Sequence, residues 1–232
     1  MPALLCMPET FTPEHLVDGS VQPAVRGYLQ QPENPNGVGL ILAHGAGSNA
    51  QAPVLITLAQ AFAAVGLTVL RCDLPYRQVR PHGPPGPGDA KRDQAGLKNA
   101  VAAMKKLTPG RIFLGGHSYG GRQSSMLAAA EPELVTGLLL LSYPLHPPGK
   151  PDQLRAQHLP NLRNPSLFVS GTRDPFGSIE EMQKALLLIP SPTRLVTVEG
   201  AGHDLNIKKG VAGGELAEKV TAAFQEFFRK DG

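Results

Sequence analysis

Residues 115–121 read Gly115-Gly116-His117-Ser118-Tyr119-Gly120-Gly121, which centres a serine in a Gly-x-Ser-x-Gly pentapeptide. An apolar run of strand length, Arg111 to Gly115, precedes it, and a helical stretch from about Gly120 to Ala130 follows, ended by Pro132. A strand that becomes a helix within a few residues strains the central residue and demands small neighbours two positions away. It also aims the helix N-terminus at the exposed side chain. Gly116 and Gly120 meet that demand, and the N–H of Tyr119 falls where negative charge develops on an attacked carbonyl. A serine that only caps the helix explains an isolated pentapeptide, but not this strand–turn–helix setting.

A hydroxyl is a poor nucleophile until a base removes its proton. His203, in Glu199-Gly200-Ala201-Gly202-His203-Asp204 after the last apolar run, is the candidate base. Asp174, which follows Val169-Ser170-Gly171-Thr172-Arg173, is the candidate acid that orients the imidazole and stabilises its cation. The order Ser118, Asp174, His203 is that of one of the known triad folds and of neither protease order. The plainer readings are a turn aspartate before Pro175 and a loop histidine, and Asp204, Asp73 and Asp152 are weaker substitutes for the acid.

The elements that must position these residues recur as an apolar run, a Gly-rich or polar loop, and a helix-period stretch. Strands are expected at Val38–Ala43, Leu67–Cys72, Arg111–Gly115, Val135–Ser142, Ser166–Gly171 and Arg194–Val198. Helices are expected from Val54 to Val65 behind Pro53, from an Asp89 cap through Leu97, Ala100, Val101, Met104 and Leu107, and from a Ser178–Glu181 capping box to about Leu188. A closing helix places Leu216, Val220, Ala223, Phe224 and Phe227 on one face. Strands apolar on both faces and alternating with helices predict an α/β fold, a single doubly wound, mostly parallel sheet with helices on both faces. Residues 1–37 differ, with Phe11–Val17 and Val21–Leu29 suited to an antiparallel hairpin around Asp18-Gly19-Ser20. With 232 residues and no linker or repeat, residues 1–232 are expected to form one domain, chemistry gathering at the carboxyl ends of the strands.

The chain resembles the α/β-hydrolase superfamily, in particular its small, lid-free dienelactone-hydrolase-like members. The likeness covers about residues 36 to 228 and rests on His44-Gly45-Ala46-Gly47, Gly116 to Gly120, Asp174 and Gly202-His203. It implies a second oxyanion donor, the N–H of Ala46, beside that of Tyr119. Dienelactone hydrolase carries a cysteine nucleophile; Ser118 stands here, so that enzyme's substrate does not transfer. The segment Leu70-Arg71-Cys72-Asp73-Leu74-Pro75-Tyr76-Arg77 is similar to a branch of predicted hydrolases related to subunits of chromatin-modifying complexes, some of which act as scaffolds. A non-catalytic interaction protein on this fold is therefore the alternative.

Other chemistries fit less well. Gly45-Ala46-Gly47-Ser48-Asn49-Ala50 with Asp73 outlines a dinucleotide fingerprint, but its loop runs on to Pro53 and leaves Ser118, Asp174 and His203 unexplained. His44, His117 and His203 share the expected rim but lack metal-ligand spacing. Two cysteines, Cys6 and Cys72, exclude a disulfide framework, and Lys and Arg scattered over a net charge of +3 leave no nucleic-acid footprint. There is no basic, apolar leader and no 18-residue apolar run, so a cytoplasmic protein that does not engage membranes is expected.

The sequence thus points to a serine hydrolase of small or accessible carboxylic esters or thioesters that uses no cofactor or metal. Its expected machinery is Ser118, Asp174 and His203, with Ala46 and Tyr119 as oxyanion donors and His44, Tyr76 and His146, each following a strand end, lining the substrate site. Residues 143–165, rich in proline, allow a short loop in place of a lid, and Arg77 and Arg122 read as surface salt-bridge formers.

Overall fold

The computed structural model describes residues 12–205 and 213–229, so Cys6 and Phe11 lie outside the described residues. The elements run β1 (Glu14–Asp18), β2 (Val25–Gln30), β3 (Gly39–Ala43), α1 (Pro53–Ala64), β4 (Thr68–Cys72), α2 (Pro75–Val79) and α3 (Asp89–Leu107). They continue with β5 (Ile112–His117), α4 (Tyr119–Ala130), β6 (Gly137–Leu141), β7 (Ser166–Gly171), α5 (Ile179–Leu186), β8 (Thr193–Val198) and α6 (Gly213–Phe227).

The strands form one sheet ordered β1-β2-β4-β3-β5-β6-β7-β8. The pairs from β4 to β8 are parallel, while β1–β2 and β2–β4 are antiparallel. Alternation along each parallel strand splits the core in two. Ile41, Leu114, Leu138, Leu140 and Phe168 pack with α3, α4 and α5 residues such as Leu97, Leu127 and Met182. Leu40, Leu42, Phe113, Leu139 and Val169 pack on the other face with Leu58 and Phe62 of α1 and Val220 and Phe224 of α6. Each leucine from Leu138 to Leu141 is fully buried, a gain of about 2 kcal/mol apiece from water removal. This two-faced burial is why β6 reads as unbroken leucine.

Some boundaries differ from the sequence-based expectation. The second hairpin strand starts at Val25, since Val21 to Ala24 form the connection and the Pro23 carbonyl accepts from Asn99 Nδ2 (2.8 Å). Gly88, at φ +87°, occupies the N-cap of α3, while Asp89 is its first helical residue and accepts from the Gly86 N–H (2.6 Å). Leu107, in the last turn of α3, is 48% exposed, outside the buried stripe. The short helix α2 was not expected, although Pro75 suits a first helical turn. Ser178 and Glu181 form the reciprocal capping box. Residues 143–165 contain a single 3₁₀ turn, Leu159–Asn161, and no lid.

Strand β3 lies between β4 and β5, so the chain leaves β3 toward one edge of the sheet and β5 toward the other. Open α/β sheets bind ligands at such a switch point, outside the carboxyl ends of the strands. Here those ends carry the loop from His44 and the turn at Ser118. The two are pressed together: a methyl group on Gly116 (φ +148°) would lie 2.2 Å from the Ala43 carbonyl oxygen, and one on Gly120 would lie 2.6 Å from that of His44. The pentapeptide glycines therefore answer the neighbouring strand as much as the turn itself. Gly116→Ala should lower folding stability by at least about 2 kcal/mol through backbone strain and overlap, read as a lowered urea midpoint. A midpoint equal to wild type would contradict this close approach.

Candidate active site

Ser118 sits between β5 and α4 with φ +50° and ψ −116°, a strained conformation for a non-glycine residue. Its N–H donates to the Leu141 carbonyl of β6 (2.8 Å). Although Ser118 occupies the N-cap of α4, its side chain makes no capping bond. The hydroxyl instead lies 2.8 Å from His203 Nε2.

The loop after β8 carries His203, and three contacts fix its ring. Nδ1 lies 3.0 and 2.9 Å from the two carboxylate oxygens of Asp174. Phe176 stacks on the imidazole, with centroids 4.0 Å apart and planes 28° from parallel. His117 Nε2 donates to the His203 carbonyl (2.7 Å) and so ties this loop to β5. The Asp174 side chain is 2% exposed and also accepts from the Phe176 N–H (2.9 Å). An ionised carboxylate only accepts, so Nδ1 carries the ring proton and the Nε2 lone pair faces the Ser118 hydroxyl.

The loop after β3 passes beside the serine: a methyl on Gly45 would lie 3.6 Å from Ser118 Cβ and 2.9 Å from His117 Nδ1. Residues 71–77 hold this loop in place. Arg71 Nη1 donates to the Ala50 carbonyl (2.8 Å), and the Ala50 N–H donates to Asp73 (2.7 Å). Tyr76 donates its hydroxyl to the carbonyls of Gly45 (3.2 Å) and Ala46 (2.8 Å). Arg77 donates to the carbonyls of Ala46, Ser48, Arg80 and Gly83 at 2.7–3.1 Å. His44 Nδ1 donates to the Gly45 carbonyl (2.8 Å), and its Nε2 accepts from the Leu74 N–H (3.1 Å). A trans peptide holds its C=O and N–H in opposite directions. Drawing the Gly45 carbonyl toward His44 and Tyr76 therefore turns the Ala46 N–H away from them.

These contacts correct three expectations about the substrate site. His44 is fully buried, Tyr76 is 1% exposed and His146 is 5% exposed. His44 and Tyr76 are committed to the loop beneath which they lie. His146 donates its N–H to the Phe176 carbonyl (3.0 Å), and its ring is bonded to the Pro147 carbonyl (2.8 Å) and Glu181 (3.3 Å). It thus braces the segment bearing Phe176. The arginines are not surface ion-pair formers either: Arg77 is buried on carbonyls, and Arg122 makes no ion pair among the described residues, its buried Nε having no acceptor. Sequence reasoning passed over Phe176; its position two residues after Asp174 was the available signal.

The competing chemistries meet the same committed groups. Asp73, the acid of the dinucleotide outline, is spent on Ala50. Among the described residues no group of three or more His, Cys, Asp or Glu side chains is arranged to hold a metal ion. No helix among them is long and apolar enough to cross a membrane.

Burial holds the imidazoles of His44, His117 and His158 below the usual histidine range, His158 at about 4. Each takes a proton more readily in the unfolded chain, so its stabilising contribution is full above about pH 7 and is lost as pH falls through about 6.5. His146, raised chiefly by its bond to the Pro147 carbonyl, acts with the opposite sign. Urea unfolding from pH 8 to pH 5 should show falling stability, and His158→Gln, which removes one half-buried imidazole, should make the fall shallower. Stability that rises toward pH 5 would contradict the buried neutral rings.

With this geometry in view, three solved structures share the fold. A dienelactone hydrolase from Anabaena variabilis aligns with a TM-score of 0.72 at 22% identity, covering 94% of this chain and 99% of its own. An alpha-beta serine hydrolase homologue from Coxiella burnetii aligns at 0.69 and 20% identity, covering 94% and 97%. A lid-free member of the α/β serine hydrolases from Xanthomonas campestris aligns at 0.68 and 18% identity, covering 95% and 97%. A family profile described as an alpha/beta hydrolase domain matches residues 36–229, nearly the whole chain. The protein belongs to the alpha/beta hydrolase family, with no lid among the described residues.

Proposed function

We propose that the protein is a serine hydrolase of small or accessible carboxylic esters or thioesters. One observation carries the reading: a serine strained out of the ordinary backbone regions presents its oxygen 2.8 Å from an imidazole whose far nitrogen rests on a buried carboxylate. Strain of this kind costs about 1–3 kcal/mol and persists where the surroundings over-determine it.

Ser118 Oγ attacks the acyl carbonyl carbon while His203 Nε2 takes the hydroxyl proton. The electron pair of the C=O bond moves to oxygen, and that oxyanion accepts from the N–H groups of Ala46 and Tyr119. As the tetrahedral intermediate collapses, His203 returns the proton to the leaving alcohol or thiol and leaves an acyl-Ser118. Water, deprotonated by His203, repeats the sequence and frees the acid. Asp174 holds Nδ1–H throughout and stabilises the transient imidazolium. The chemistry calls on no cofactor. With a short loop at 143–165 rather than a lid, short acyl groups suit the site better than long lipid chains.

A fluorophosphonate probe should label the purified protein at Ser118, with labelling abolished in Ser118→Ala and His203→Ala. Hydrolysis of 4-nitrophenyl acetate should fall about 10⁴-fold or more in those variants and about 10³- to 10⁴-fold in Asp174→Asn. A folded, monodisperse wild-type protein that resists the probe would overturn the hydrolase reading in favour of a binding role on the same fold.

A further inference from the structure

We propose that Asp93 of α3 is the positioning residue that registers the two oxyanion donors against each other, an inference that rests on the hydrolase reading above. Asp93 is fully buried and lies outside the Ser118–His203–Asp174 set. Its Oδ1 accepts from the Tyr76 N–H (3.0 Å) and its Oδ2 from the Tyr119 hydroxyl (2.8 Å). The two tyrosines meet edge to face, with ring centroids 5.8 Å apart and planes at 88°.

Each partner leads to one donor. Tyr76 is the second residue of α2, and its hydroxyl draws on the carbonyls of Gly45 and Ala46; the first shares its peptide with the Ala46 N–H and so sets that N–H's direction. Tyr119 opens α4 and supplies the other N–H from its own backbone. One carboxylate thus ties the helix that grips the β3 loop to the helix that carries the serine turn. The packing around it is correspondingly tight: a methyl on Gly96, one turn further along α3, would lie 2.4 Å from Pro75 Cγ.

A carboxylate suits this position because the Tyr76 N–H can only donate, and both oxygens are then used as acceptors. Burial pushes the Asp93 carboxyl up, and the two hydrogen bonds pull against that. An amide offers a single acceptor oxygen, so Asp93→Asn forces one of the two contacts to turn or break.

The test separates geometry from folding by counting active sites with a fluorophosphonate and measuring turnover of 4-nitrophenyl acetate per titrated site. Asp93→Asn is expected to lower kcat per site about tenfold with KM little changed, since small displacements of transition-state donors act on rate more than on binding. A boronic acid, whose adduct on Ser118 is tetrahedral, should weaken by the same factor. Tyr119→Phe, which removes only the Oδ2 partner, should move kcat in the same direction and keeps the test open if Asp93→Asn folds poorly. An unchanged kcat per titrated site in both variants, or a loss confined to KM, would overturn the assignment. A wild-type protein with no titratable serine would instead overturn the hydrolase reading on which it rests.

Discussion

The close approach of two backbones, the end of β3 and the turn that follows β5, governs the rest of the site. Side chains at Gly116 and Gly120 would collide with the carbonyls of Ala43 and His44, so the strands meet there through backbone alone. This contact leaves room for no more than a methyl group between Gly45 and the Ser118 side chain. Parallel pairing of β3 with β5 fixes the height at which they meet, from Gly39 opposite Ile112 to Ala43 opposite Gly116. A shift in that register would move the loop and the serine apart by a whole residue.

Holding a loop so close to a strained turn takes many polar contacts, and residues 71–77 provide them. Arg77 is a buried cation that makes no ion pair among the described residues; its charge is met by four carbonyl dipoles drawn from two loops. Such an arrangement ties the β3 loop to the segment after α2 through one side chain. His44 and Tyr76 work in the same sense, each using its polar atoms on backbone groups below the surface. On the opposite side, Phe176, Asp174 and His117 bear on three different parts of His203: ring face, Nδ1 and carbonyl.

Much of this was legible from residue types and spacing. Ser118, Asp174 and His203 could be named because each follows an apolar strand, and the fold brings strand ends to one rim. The six parallel strands and the Ser178–Glu181 cap were readable for similarly local reasons. The downward turn of His44 and Tyr76 onto backbone groups was not. His44 and Tyr76 follow strand ends as plainly as Ser118 does, yet their rings turn down into the molecule to meet Leu74 and Gly45. Periodicity marks which face an apolar side chain takes but is silent on where a polar one at a strand end finds its partner. Asp93 was hidden for the same reason: it sits in an amphipathic helix rich in charge, and its burial is set by Tyr76 and Tyr119.

The central claim is that Ser118, His203 and the two N–H groups form one preorganised reaction centre. A crystal structure of the protein after reaction with a small fluorophosphonate tests it most directly, since the phosphonyl group stands in for the tetrahedral intermediate. The account predicts phosphorus bonded to Ser118 Oγ, its oxygen within about 3 Å of both the Ala46 and the Tyr119 nitrogens, and His203 facing the leaving-group position. An adduct whose oxygen points to solvent, or one formed on another residue, would contradict it.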